Sequence, residues 1–137
     1  MNQKEKIEKI KEFRLIDDVF FEVFASDIPA CQEILRTILE DEKLIVNDVI
    51  VQSSERNIYG RSVRLDALCT LGDGSLCNIE IQRSDNDNHL KRARFNAASI
   101  TVKESEPGIN FENVKDVYIV YISEKDFFKA GLTTYHI

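Results

Sequence analysis

Apolar positions recur at helical spacing through the first third of the chain. Over residues 4–13, Ile7, Ile10 and Phe13 alternate with charges, which predicts a short surface helix. Residues 17–24 continue the run, with Val19, Phe20, Val23 and Phe24 suited to a buried helix face. Ser26 or Asp27 can then cap a second helix, with Pro29 tolerated in its first turn. Ile34, Leu35, Ile38 and Leu39 make its apolar stripe, and Glu40, Asp41 and Glu42 follow as it ends.

The period then changes from helical to extended. Residues 46–52 are rich in β-formers, while residues 62–71 and 76–82 alternate, separated by the hairpin signal Gly72-Asp73-Gly74. Residues 90–102 return to helical spacing, with Leu90, Ala93, Ala97, Ala98 and Thr101 on one side, and Pro107 and Gly108 end that region. The run VYIVYI at residues 117–122 predicts a buried strand. Helix, helix, strand, strand, strand, helix, strand is the resulting order, and its natural outcome is one α/β domain over residues 1–137. Residues 132–137 look like the start of a further strand, so the chain is expected to be truncated at its carboxyl end or part of a longer protein.

Within the hairpin, strand periodicity sorts the side chains onto two faces. Val63, Leu65, Ala67 and Cys69 share one face with Cys77, Ile79 and Ile81. Arg64, Asp66 and Leu68 share the other with Asn78, Glu80 and Gln82. A three-residue Gly72-Asp73-Gly74 loop pairs Leu71 with Ser75, and carrying that register inward pairs Cys69 with Cys77, Asp66 with Glu80, and Arg64 with Gln82.

Asp66 opposite Glu80 is the pair that carries chemistry. Like charges placed directly across two strands repel, with Cβ atoms about 4.5–5.5 Å apart. A hard divalent cation with oxygen ligands is a common reason to tolerate the arrangement. Such an ion lowers the pKa of bound water and neutralises charge on a phosphoryl group under attack. Gln82, two residues beyond Glu80 on the same face, is placed to orient that water or contact a phosphate oxygen. Acidic residues on the solvent side of a hairpin, neutralised by Arg64, fit the spacing as well.

Charge refines the picture. A net charge of −6 argues against broad non-specific nucleic-acid binding, yet Arg83, Lys91, Arg92 and Arg94 cluster around the start of the later helix. They suit DNA phosphates held beside a metal, and suit a solvated helix face equally. Cys31, Cys69 and Cys77 form no CxxC pair, their odd number argues against a disulfide framework, and Cys69 and Cys77 face the apolar side as buried thiols. With His89 and His136 the only histidines, a Cys/His zinc site is not expected. The sequence holds neither a signal-peptide core nor a run near the roughly 20 apolar residues that cross a membrane, so a cytoplasmic protein is the default expectation.

Arg64-Leu65-Asp66 followed by Asn78-Ile79-Glu80-Ile81-Gln82 resembles the RLD…NIExQ signature of the PD-(D/E)xK nuclease family transposases, also called Rpn-type recombination-promoting nucleases. Residues 15–21 (LIDDVFF) resemble that family's amino-terminal motif, and residues 91–95 (KRARF) the basic-aromatic start of its helix after the third strand. The similarity covers residues 15–137. It implies a restriction-endonuclease-like core with a mixed central sheet flanked by helices. It also implies a Mg²⁺-dependent deoxyribonuclease, with Mn²⁺ or Ca²⁺ as alternative ions and DNA as the partner. A homo-oligomer is compatible with it.

Under the resemblance Asp66 and Glu80 bind the metal together with the backbone carbonyl of Ile81. Asp66, Glu80 and Gln82 form the catalytic set, while Arg83, Lys91, Arg92 and Arg94 hold DNA. Asp18 enters as an accessory carboxylate through the amino-terminal motif, with helix capping as its alternative role, and Glu55, just after the first strand, is a candidate of the same kind. Two departures stand out. Gln82 occupies the place of the usual lysine, a replacement common in this subfamily, and Leu65 replaces the proline that names the wider motif. A catalytically inactive nucleic-acid-binding or assembly module that keeps the fold, and an unrelated α/β interaction domain, are the competing functions.

Overall fold

The computed structural model describes residues 1–12, 14, 17–56, 62–82 and 89–137, and for residues 18, 19, 52–56 and 62–65 it describes the backbone alone. Its elements are α1 (Gln3–Lys11), α2 (Asp18–Ser26), α3 (Ile28–Ile38), β1 (Val46–Arg56), β2 (Ser62–Leu71), β3 (Leu76–Gln82), α4 (His89–Lys103), a single 3₁₀ turn (Phe111–Asn113) and β4 (Val117–Ser123).

The helical run read as one amino-terminal element is two. Asn2 opens α1 with a capping box, its side chain accepting from the Glu5 N–H while the Glu5 carboxylate accepts from the Asn2 N–H. Between the helices Asp17 Oδ2 accepts from the Arg14 N–H at 2.8 Å, and the Asp17 N–H donates to the Arg14 carbonyl at 2.9 Å. Asp17 then takes the extended N-cap conformation of α2. α1 ends at its own C-cap, Glu12, whose N–H donates to the Lys9 and Ile10 carbonyls. Asp27 is the N-cap of α3, with Pro29 in its first turn, and Cys31 and Leu35 are the buried positions of that helix.

The sheet order is β1-β2-β3-β4, antiparallel across the first two pairings and parallel between β3 and β4. A parallel step needs a crossover, and α4 lies within it. β1 is longer than its β-rich stretch suggested, pairing with β2 as far as Arg56 opposite Ser62, so Glu55 lies inside the strand and not after it. β4 stands at the edge of the described sheet, so its continuous apolar run is largely half-buried; Val120 is buried and Tyr118 is exposed.

Turn chemistry fixes the central hairpin. The Leu71 N–H donates to the Ser75 carbonyl at 2.9 Å and the Gly74 N–H to the Leu71 carbonyl at 3.0 Å, while Asp73 Oδ1 accepts from the Ser75 N–H. Gly74 sits at φ 88°, where an L side chain is strained although the space around it is open. Gly74→Ala should therefore cost about 1–2 kcal/mol in urea unfolding; an unchanged midpoint would show that the turn relaxes at no cost.

Both faces of the sheet are covered. Ala67, Cys69, Leu71, Cys77, Ile79 and Val120 pack with Phe21 and Ala25 of α2 and Cys31 and Leu35 of α3 in the main core. Cys69 and Cys77 are buried on the apolar face as their alternation requires, and Cys31 Sγ lies 3.7 Å from Cys69 Sγ. On the other face Leu68 and Leu76 meet Ile100 of α4. Residues 132–137 form no strand. The segment folds back instead, the Tyr135 hydroxyl donating to Asp126 Oδ1 at 2.7 Å and accepting from the Ala130 and Leu132 N–H groups. Among the described residues no helix is long and apolar enough to cross a membrane.

Candidate active site

Asp66 and Glu80 meet through the hairpin register. The ladder pairs Cys69 with Cys77 and Ala67 with Ile79, so Asp66 and Glu80 are next in line on the opposite face. Asp66 Oδ2 accepts the Ile81 N–H at 2.7 Å, tying the half-buried carboxylate to the third strand.

Glu80 is only 2% exposed, and its Oε1 accepts from Asn78 Nδ2 at 3.0 Å and from Asn96 Nδ2 at 3.2 Å. Burial pushes its carboxyl up to about 7; the Asn78 amide opposes this, the neighbouring Asp66 carboxylate reinforces it, and the Arg92 guanidinium draws it partly back. The Glu80 carboxyl therefore sits in a place that disfavours its anion unless more positive charge arrives.

Helix α4 forms the roof, by a face its apolar spacing did not indicate. Its buried residues are His89, Asn96, Ser99 and Ile100, whereas Leu90 and Ala98 are exposed. Near the pair the sheet presents carboxylates and an amide, so the matching helix positions are polar and hydrophobic periodicity points away from them. Asn96 accordingly escaped the sequence reading. Asn78 shares its strand face with Glu80 by alternation, the one signal that could have found it.

Tyr121 of β4 is the register partner of Glu80 and therefore lies on the same face. Its hydroxyl is 2.8 Å from His89 Nδ1, and the His89 ring stacks on Phe127 at a centroid distance of 4.2 Å.

The other candidates divide. Gln82 ends β3 half-buried on the Glu80 face. Lys91 and Arg94 are exposed on α4 and Arg92 is half-buried, close enough to act on Glu80. Arg83 and the side chains of Asp18, Glu55 and Arg64 lie outside the described residues.

Among the described residues no three His, Cys, Asp or Glu side chains gather around one point. The pair Asp66 and Glu80 nevertheless fits a hard divalent cation. Both donors are carboxylate oxygens, the hard ligands such an ion takes, and they lie side by side on one face of the hairpin. Asp66 and Glu80 are the groups that would hold it.

No curated protein and no solved structure matches the chain. The family described as PD-(D/E)XK nuclease family transposase matches residues 14–137, a span that includes the whole sheet, the roofing helix and both carboxylates. The protein belongs to the PD-(D/E)XK nuclease family transposases.

Proposed function

We propose that the protein is a metal-dependent endonuclease that hydrolyses DNA phosphodiester bonds in a transposase or recombination context. The observation that carries the reading is the carboxylate pair itself, with Glu80 buried and held by two amides beside an Asp66 fixed by the Ile81 N–H. A bound divalent ion supplies an activated water and charge neutralisation at the phosphoryl group. Asn78 and Asn96 fix the orientation of Glu80, and the Ile81 N–H fixes Asp66. Gln82 orients the attacking water or contacts a phosphate oxygen, a role its neutral amide fills without the positive charge of a lysine. Arg83, Lys91, Arg92 and Arg94 hold DNA phosphates, and Asp18 and Glu55 serve as accessory carboxylates. Mg²⁺ as the ion, with Mn²⁺ or Ca²⁺ as alternatives, and a cytoplasmic location belong to the same reading.

Plasmid cleavage in Mg²⁺, Mn²⁺ and Ca²⁺, comparing wild type with Asp66→Ala, tests it. Wild type should cut in Mg²⁺ or Mn²⁺ and Asp66→Ala should not. Gln82 at the lysine position favours a second reading, an inactive DNA-binding module. DNA retention by a wild type that cuts with none of the ions would select that reading.

The basic residues have a test of their own. Changing Lys91, Arg92 and Arg94 together to alanine should weaken DNA binding and reduce the slope of log affinity against log salt by up to about three. An unchanged slope would return them to a solvated helix face.

A further inference from the structure

His89 opens α4 and is only 6% exposed, yet its Nε2 has no hydrogen-bond partner among the described residues. The other ring nitrogen is engaged by the Tyr121 hydroxyl, and the ring plane is clamped by stacking on Phe127. A buried polar nitrogen with no partner costs stability unless a ligand supplies one.

Three features define that ligand. Tyr121 is the register partner of Glu80, and Asn96, two turns along α4, bonds the same carboxylate, so His89 stands at one end of a polar strip centred on Glu80. The start of α4 carries the positive end of a helix dipole and N–H groups that favour an anion. When the Tyr121 hydroxyl donates to Nδ1, the neutral ring carries its proton on Nε2 and offers a buried donor. A donor there and the helix start call for the same partner, an anionic oxygen.

We propose that His89 Nε2 donates a hydrogen bond to a phosphodiester oxygen of DNA bound over the start of α4, with Tyr121 as the positioning residue that fixes its tautomer. This rests on the nucleic-acid reading above and adds a DNA-binding residue to it.

Amide side chains provide the test, because Asn reproduces Nδ1 and Gln approximates Nε2. Affinity for a fluorescein-labelled DNA duplex in Ca²⁺ should fall about tenfold in His89→Asn, the loss of one charge-assisted hydrogen bond. His89→Gln should recover most of it. The wild-type ring gives an independent readout, since His89 and His136 are the only histidines. In a His136→Gln background, long-range ¹⁵N–¹H spectra should show Nε2 protonated, and its resonance should move when the duplex is added.

Wild-type affinity in His89→Asn, or an Nε2 resonance indifferent to the duplex, would overturn the proposal. An equal response to inorganic phosphate at the same concentration would overturn the phosphodiester assignment in favour of a free-phosphate site. Loss of plasmid cleavage with the Nε2 response intact would count against the nuclease reading alone. Full cleavage by His89→Asn at unchanged KM would count against His89 alone.

Discussion

Asp66→Asn and Glu80→Gln should each lower metal-dependent DNA cleavage by about a thousandfold or more, a barrier increase of about 4 kcal/mol. Both substitutions keep the local hydrogen bonds. An asparagine oxygen at position 66 still accepts the Ile81 N–H, and a glutamine oxygen at position 80 still accepts from Asn78 and Asn96. What each removes is one anionic oxygen donor from a two-carboxylate set, so the ion is held less tightly and its water is misplaced. Thermal stabilisation by Mg²⁺ or Mn²⁺ should vanish with the cleavage, since an ion that binds the folded state alone raises stability by about 2.7 kcal/mol at a hundred times its Kd. Single-turnover plasmid nicking and melts with and without metal measure the two effects. Variants that cut within tenfold of wild type, or keep its metal response, would place the ion elsewhere.

The carboxylate pair was legible because a turn and a period of two determine it. Gly72-Asp73-Gly74 sets the register, the strand ends at residues 62–71 and 76–82 coincide with the alternation, and Asp66 comes beside Glu80 by arithmetic. The environment of the pair was not legible. Whether a polar strand face meets water or a helix is decided by residues distant in sequence, and here Asn96 and His89 of α4 cover it. A helix that packs on carboxylates buries polar residues, so of the side that reads as the inner face Leu90 and Ala98 are exposed and Ala93, Ala97 and Thr101 are only half-buried. The break between α1 and α2 was hidden for another reason. Helical spacing continues across it, while the backbone closes α1 at Glu12 and opens α2 at Asp17. Residues 132–137 read as a strand from their composition, but the Tyr135 hydroxyl, bonded to Asp126 and to two backbone N–H groups, commits them to a folded-back loop.

Burial of Glu80 gives the metal-free protein an unusual dependence on pH. Its carboxyl lies at about 7 in the fold against an ordinary value of 4.5, so the native state holds a proton that the unfolded chain releases. A raised folded value contributes stability that is complete below about 4.5 and is lost as pH climbs through about 7. At about 1.4 kcal/mol per pH unit the gap amounts to roughly 3 kcal/mol, a large fraction of the stability of a small domain. Asp73 and Asp126 act in the opposite sense: hydrogen bonds from Ser75 hold the first below its usual range, and those from Tyr135 and the Gly131 N–H hold the second. Their contribution is lost on acidification below about 4, outside the Glu80 window. Urea unfolding in EDTA should therefore show wild type weakening between pH 4.5 and 8. Glu80→Gln, which cannot ionise and keeps both amide partners, should stay flat across that range. The two proteins should match near pH 4.5, and the variant should be roughly 3 kcal/mol more stable at pH 8. Saturating Mg²⁺ should narrow that difference by stabilising wild type alone, because the ion replaces the proton as the positive charge between the carboxylates. A Glu80→Gln protein less stable than wild type at pH 8 in EDTA would show that Arg92 already compensates the buried anion. The pair would then be a structural ion cluster, and its claim on a metal would fall with it.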